Sequence, residues 1–260
     1  MSRGEIQRMH EDLSRALKKP EDERSWVMVV DVRKCVGCHA CSVSCMAENV
    51  APPGSSYRVV FEVESGEYPT LDRFFMPTNC QQCDKPPCKA AADKIAKDAI
   101  TKRKDGIVVF NYEKLKKNPK AGEAAQKACP YTAIVADDGT FYTENTPVLE
   151  PYETRSFFEY GKKLTRKGGA LKGAIRKCTF CLHRLREGML PACVSTCIGR
   201  AMYFGDGSDP KSLVSELISK KGVWRIKSGE GTEPRVYYLG FETRTKMIQI
   251  TPTTCLECHE

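Results

Sequence analysis

The sequence predicts an α+β fold in which short strands and helices are gathered around cysteine loops. Three observations carry that expectation. Short apolar runs of strand character alternate with helical stretches, and no βαβ run is long enough for a Rossmann domain. Fourteen cysteines occur in 260 residues, most of them in tight groups with gaps of two or three residues. Hydrophobic residues make up 41% and charged residues 28%, the balance of a folded chain. Mean hydropathy is −0.43, and no run approaches the ~18 apolar residues of a membrane-spanning helix.

The elements can be justified in order. Ile6, Met9, Leu13 and Leu17 form a thin apolar stripe on one helical face, ended by Pro20 and the charged residues 21–24. So thin a stripe points to a solvated or partner-docked arm, not a membrane anchor. Residues 27–31 are an apolar strand leading into the first cysteine group. Further strands are expected at 107–110, after the turn Lys104-Asp105-Gly106, and at 133–136, before Asp137-Asp138-Gly139. Residues 140–177 read as a long polar connection rich in Pro and Gly. Its end, 162–177, holds seven Lys or Arg and no acid, and a solvated loop is favoured over a docking surface for an acidic partner or a strap along a neighbouring subunit. Ser208-Asp209-Pro210 marks a helix start, with the helix running to about Lys221 and stopping at Gly222. Residues 235–241 then alternate as a strand. The domain outline is an N-terminal extension at 1–25, an interleaved core at 26–139 and 170–207, an insertion at 140–169, and a C-terminal helix, strand and tail at 208–260.

The cysteines carry the chemistry. Met1 to Lys19 has neither a secretory apolar core nor a twin-arginine pair, so the thiols are read as metal ligands in a chain that folds where they stay reduced. The first group, Cys35, Cys38, Cys41 and Cys45, has the spacing C-x2-C-x2-C-x3-C. Three such cysteines wrap one iron–sulfur cube, and the fourth serves the other cluster of a pair; zinc sites use two separated pairs instead. The second group is Cys80, Cys83 and Cys88, with Ala92 at the expected fourth position. The third keeps only Cys129-Pro130; counting back by the same spacing gives Ala125, Gly122 and Pro119. The fourth is Cys178, Cys181, Cys193 and Cys197.

Exchange of the fourth ligand between paired groups sorts twelve thiols into three complete sets. They are Cys35, Cys38, Cys41 and Cys197; Cys45, Cys178, Cys181 and Cys193; and Cys80, Cys83, Cys88 and Cys129. The set that would need Ala92 and three ligands from the third group is absent as a whole. The expected fold is therefore tandem ferredoxin-like [4Fe-4S] modules with long connecting insertions. A four-iron cluster with four thiolates carries about −2, so three of them bring the formal net charge of +8 to roughly +2. The basic balance then needs no nucleic-acid partner, and aromatics do not interleave with the basic run.

This four-group plan, ending in C-x2-C-x11-C-x3-C, resembles the iron–sulfur electron-transfer subunits of the molybdopterin oxidoreductase superfamily, which serve dimethyl sulfoxide, polysulfide, tetrathionate and arsenate reductases. The trimmed layout is similar to the small subunit of pyrogallol–phloroglucinol transhydroxylase, which has three clusters. The resemblance implies a non-catalytic subunit, three [4Fe-4S] clusters passing one electron at a time, a molybdenum or tungsten catalytic partner, and a membrane-anchor or cytochrome partner. The alternative is a free-standing polyferredoxin. Arg33, Lys34, Lys177 and Arg184 flank ligands and are expected to raise neighbouring potentials. His10, His39 and His183 are read as non-ligands, and no catalytic set is present in the chain. At the tail, Cys255, Cys258 and His259 match the c-type haem attachment motif; a redox-active thiol pair, an adventitious metal site and an unoccupied tail stand beside that reading. Localisation follows the tail: the exported face of a membrane as part of a complex if haem is attached, cytoplasmic otherwise.

Overall fold

A computed structural model describes residues 4–65, 68–140, 147–148, 150–154, 157–159, 162–164, 172–240 and 247–253. The elements in chain order are α1 (Glu5–Leu17), β1 (Trp26–Asp31), α2 (Ala40–Asn49), β2 (Arg58–Ser65), β3 (Asp72–Asn79), α3 (Pro87–Asp93), β4 (Ile100–Lys102) and β5 (Val108–Phe110). They continue with α4 (Tyr112–Lys117), α5 (Pro119–Ala128), β6 (Ile134–Asp137), α6 (Pro151–Thr154), β7 (Phe157–Glu159), β8 (Lys162–Leu164) and β9 (Ala174–Lys177). The last are α7 (Leu182–Arg186), α8 (Ala192–Ser195), β10 (Met202–Asp206), α9 (Leu213–Ile218), β11 (Val223–Trp224), β12 (Val236–Leu239) and β13 (Met247–Thr253). Among the described residues no helix is long and apolar enough to cross a membrane.

The run Trp26–Asp31 is buried at every position, as a near-continuous apolar strand should be at the centre of a sheet. It sits in a four-stranded sheet of order β10-β1-β12-β11, antiparallel to β10 and parallel to β12. A second sheet, β13-β2-β3, is antiparallel, and its β2–β3 hairpin runs in register from Arg58 opposite Asn79 to Ser65 opposite Asp72. The main core includes Met28, Val30, Val60, Phe180, Phe204, Val236 and Tyr238. A smaller apolar cluster joins α3, α5, β5 and β9 through Ala92, Ala121, Ala125, Phe110, Leu115 and Ile175.

Three local expectations are corrected. The helix carrying Ile6, Met9, Leu13 and Leu17 is not a solvated or partner-docked arm. Met9, Leu13 and Ala16 are buried in the main core, and Asp12 Oδ2 accepts the Leu213 N–H at 2.7 Å, so α1 is locked onto α9. The C-terminal helix starts later than Ser208-Asp209-Pro210. Asp209 instead accepts the Lys211 N–H at 2.9 Å and pairs with Arg15 at 2.7 Å, leaving Ser212 to cap α9, which ends at Ile218. The basic run is no solvated loop at its end: Arg176 and Lys177 are fully buried because β9 pairs with β6, where Asp137 meets Arg176 at 2.8 Å.

Candidate metal centres

Three cysteine loops share one backbone feature. The residue just before the second cysteine is left-handed in each: Gly37 at φ +67°, Gln82 at +48° and Phe180 at +54°. That turn folds each short loop back on itself. Gly37 suits the conformation and also leaves no room for a side chain, since an added Cβ would lie 2.7 Å from the Phe75 ring. Gln82 and Phe180 hold a conformation that costs a side-chain residue about 1–2 kcal/mol. Gln82 is held there by its amide, which donates to Cys178 O at 2.7 Å and accepts from Val108 N at 2.9 Å. Phe180 is held edge-on against Phe204, with ring centroids 5.3 Å apart.

The eight cysteines of the first and fourth groups sort around two cavities. One is lined by Cys35, Cys38, Cys41 and Cys197, with Lys34, His39 and Gly199. The other is lined by Cys45, Cys178, Cys181 and Cys193, with Asn49, Arg58, Asn79 and Thr179. Each encloses roughly 300 Å³, mouth included. The helices explain the division. Cys41 and Cys45 lie four residues apart on α2, about 6 Å along its axis, so one helix offers a sulfur to each cavity. Cys193 on α8 and Cys197 just beyond it do the same, and α2 packs against α8.

The second group adjoins this pair. Cys80 and Cys83 follow β3, Cys88 lies on α3 and Cys129 caps the end of α5, which packs on α3. Burial pushes the Cys83 thiol up to about 12, and Cys80, Cys88 and Cys129 add to the shift. Lone Cys129, 41 residues after Cys88, is thus within electrostatic reach of its expected companions. Asn79 Nδ2 links the groups, donating to Cys80 O at 3.0 Å and Cys178 Sγ at 3.5 Å. Of the four positions where a further set of ligands would stand, Ala92, Gly122 and Ala125 are buried and Pro119 is exposed, and Ala92 and Ala125 belong to the smaller apolar cluster.

Burial likewise raises Cys41 and Cys178 to about 11 and holds Cys45 and Cys181 high, with neighbouring sulfurs reinforcing each shift. The Phe180 N–H opposes it at Cys178, donating to Sγ at 3.4 Å, and Ala201 N–H donates to Cys197 Sγ at 3.2 Å. For Cys41, Cys45 and Cys178 the opposing charge is one the sequence did not single out. Arg58 is 1% exposed and donates from Nη2 to Cys193 Sγ at 3.3 Å and Met28 Sδ at 3.0 Å. Burial lowers its pKa, but Cys193, Cys41 and Cys178 outweigh that and the net direction is up. Its Nε and Nη1 meet no acceptor, nor does Thr179 Oγ1 in the same cavity.

The cations expected from the sequence fare differently. Lys34 is matched by Glu5 at 3.0 Å, Arg184 by Glu48 at 3.1 Å, and Arg33, 61% exposed, by Asp31 at 2.7 Å. Each spends its charge on a carboxylate, so the expected pull on neighbouring ligands is weakened. Lys177 is buried, donates to Cys178 O at 2.9 Å and lowers the Cys88 and Cys129 thiols, so its charge faces the second group. His183 Nε2 is engaged by Glu48 at 2.8 Å. Cys255, Cys258 and His259 lie outside the described residues.

The donor sets suit a polynuclear anionic group. Four sulfurs line each of the two cavities. A buried guanidinium with unsatisfied donors calls for an anion beside it, and a thiolate-ligated [4Fe-4S] cluster is one.

Comparison with known proteins agrees with this chemistry. Residues 71–146 and 164–207 match the 4Fe-4S dicluster domain family. A selenate reductase chain of Mesobacillus selenatarsenatis is 48% identical over 235 residues, covering 90% of this chain and 78% of its own. The arsenate respiratory reductase iron–sulfur subunit of a Shewanella species is 32% identical over 229 residues, 82% of this chain and 94% of its own. A tetrathionate reductase chain of Salmonella typhimurium is 31% identical over 222 residues, 84% of this chain and 73% of its own. With its cysteine loops, its buried counter-charge and these relatives, the chain belongs to the family of iron–sulfur electron-transfer subunits of the molybdopterin oxidoreductases.

Proposed function

We propose that this non-catalytic subunit carries three [4Fe-4S] clusters as one electron path in a respiratory reductase complex. The ligand sets are Cys35, Cys38, Cys41 and Cys197; Cys45, Cys178, Cys181 and Cys193; and Cys80, Cys83, Cys88 and Cys129. The observation that carries the reading is the sorting of eight thiols from both ends of the core into two cavities of four, with none left over. Each bound cluster supplies one-electron storage; the chain supplies burial, N–H···S hydrogen bonds and fixed charge. The order of the path is supported by contact: Arg58 acts on Cys41 and Cys193, and Asn79 touches Cys178 and the Cys80 carbonyl. The apolar surroundings of Ala92 and Ala125 favour three clusters over four. The pairing of β6 with β9 favours residues 140–169 as an insertion between tandem ferredoxin-like modules.

The partner is a molybdenum or tungsten catalytic subunit. Cys38 is exposed, and beside it Val36 and Ile198 are 62% and 70% exposed, an apolar fringe that favours this end of the path as one docking edge. A membrane-anchor or cytochrome partner takes the other end, near the third set. The reductases named for the relatives act on selenate, arsenate and tetrathionate, which favours electron flow toward an oxyanion acceptor.

Iron and acid-labile sulfide analysis of the anaerobically purified complex tests the count. About 12 of each per chain is expected, and about 16 or a three-iron signal overturns it. Co-elution with a large subunit on gel filtration is expected, whereas elution alone would return the polyferredoxin alternative. Haem at Cys255, Cys258 and His259 is an independent question, since the twelve ligands do not involve them. A denaturing gel stained for haem peroxidase activity decides it, and a band at the chain's mass would place the protein on the exported face of its membrane.

A further inference from the structure

Arg58 and Asn79 are opposed residues at the open end of the β2–β3 hairpin, and both line the cavity of Cys45, Cys178, Cys181 and Cys193. The hairpin thus inserts a guanidinium among the sulfurs of the core. Among the described residues no carboxylate pairs with it, and two of its nitrogens lack any acceptor. An arginine cannot discharge itself by losing a proton, so its charge must be answered by an anion in reach. Cys193 of one cavity accepts from Arg58 Nη2 at 3.3 Å, and Ser42, the residue after Cys41 of the other, donates its hydroxyl to the Arg58 carbonyl at 2.8 Å, so Arg58 stands next to both. The second group has its own cation in Lys177, whose Nζ donates to Oε1 of Gln82, the residue before Cys83, at 3.4 Å and lies 5.4 Å from the centroid of the Phe110 ring, which shares the smaller apolar cluster with Cys88.

We propose that Arg58 is a shared positioning cation that raises the reduction potentials of the first two clusters together and leaves the third to Lys177. The inference rests on the ligand sets proposed above. An electron added to either of those clusters deepens a negative charge near a fixed positive one that is itself 1% exposed, so solvent screens the pair weakly. Reduction is favoured at both sites by one side chain. Asn79, which donates to Cys178 Sγ, acts on one cavity only.

The test is a redox titration of the anaerobically purified complex, followed by electron paramagnetic resonance, for wild type, Arg58→Gln and Arg58→Lys. The signal lost in Cys129→Ala identifies the third cluster and serves as the internal reference. Arg58→Gln is expected to lower the reduction equilibrium constant of both other clusters by tenfold or more, 59 mV for a one-electron couple, with the third moving less than threefold. Arg58→Lys, which keeps the charge, is expected to stay within threefold of wild type. Unchanged potentials in Arg58→Gln, a shift in one cluster alone, or equal shifts in all three would overturn the proposal. If Arg58→Gln loses the iron of the two sites, Arg58→Lys decides: iron retained supports a charge role, and iron lost overturns it. A wild-type complex lacking these two clusters would instead defeat the ligand assignment, which the iron analysis reads separately.

Discussion

Gly199→Ala puts the geometry of the first cavity to a direct test. Gly199 lies two residues after Cys197, and a Cβ added there would sit 2.3 Å from the backbone oxygen of Lys34, the residue before Cys35. An ordinary C···O contact needs about 3.3 Å, so the two segments must part by roughly 1 Å. Neither atom belongs to a flexible side chain, and the relief must come from moving Cys35 away from Cys197. Metal–ligand distances tolerate about 0.2 Å, several times less than that movement. The substitution should therefore remove the cluster of Cys35, Cys38, Cys41 and Cys197, taking iron from about 12 to about 8 atoms per chain. Overpacking adds a stability loss of about 1–3 kcal/mol. Gly229→Ala is the control, because its Cβ meets nothing within 4 Å. The assay is iron and sulfide analysis with thermal unfolding, and a Gly199→Ala protein matching Gly229→Ala in both would refute the reasoning.

Three further outcomes are expected. Cys129→Ala should lose about a third of the iron and leave the spectra of the other two clusters intact; unchanged iron content would remove Cys129 from the ligand sets. Ala125→Leu should destabilise by about 1–3 kcal/mol in urea titration, because α5 is packed tightly on α3, and a neutral result would mean that this region is not close-packed. Asp206 is buried and accepts from Lys19 at 2.7 Å, Ser25 N at 2.8 Å and Ser208 N at 2.9 Å; burial raises its pKa, but these bonds outweigh it and hold it below the ordinary range. Its contribution is then in place above the unfolded value of about 3.9 and disappears as pH falls through the lower folded one. Asp206→Asn should accordingly lose stability at pH 7, with a deficit that shrinks as pH falls below about 3.9, whereas a deficit independent of pH would show that the charge is irrelevant.

What was legible in the sequence follows from range. The cysteine spacings and the apolar run of β1 are local patterns, and both point to the elements that are present. Exchange of the fourth ligand is a rule about partners, and it is what leads the sequence reader to join Cys45 and Cys197 to distant loops. Arg58 could not be found that way. It is one arginine opening a strand, and its contact with Cys193 spans 135 residues. The stripe of α1 was visible, but nothing local shows that Asp12 caps α9 or that Met9 enters the main core. The basic run misled for a similar reason. Charge counts describe a segment alone, while the burial of Arg176 is set by strand pairing and by Asp137 on β6.

The two apolar clusters divide the cofactor chemistry into unequal parts. Cys41 and Cys193 belong to the main core, with Cys178 and Cys197 packed against it, and the core reaches the first two cavities through Met28 of β1 in one and Val60 of β2 and Met202 of β10 in the other. Cys88 belongs to the smaller cluster, with Cys129 packed against it. Without iron the raised thiols can stay neutral, but Arg58 remains charged with no carboxylate among the described residues to answer it. An unmatched buried charge costs several kcal/mol, which only an anion in the adjoining cavities can offset. Closure of the β2–β3 hairpin over the core and filling of the first two cavities are therefore coupled, and chelation should loosen both together. Cys88 and Cys129 of the proposed third set lie instead with α3, α5 and β5, and loss of iron there should leave that coupled unit standing.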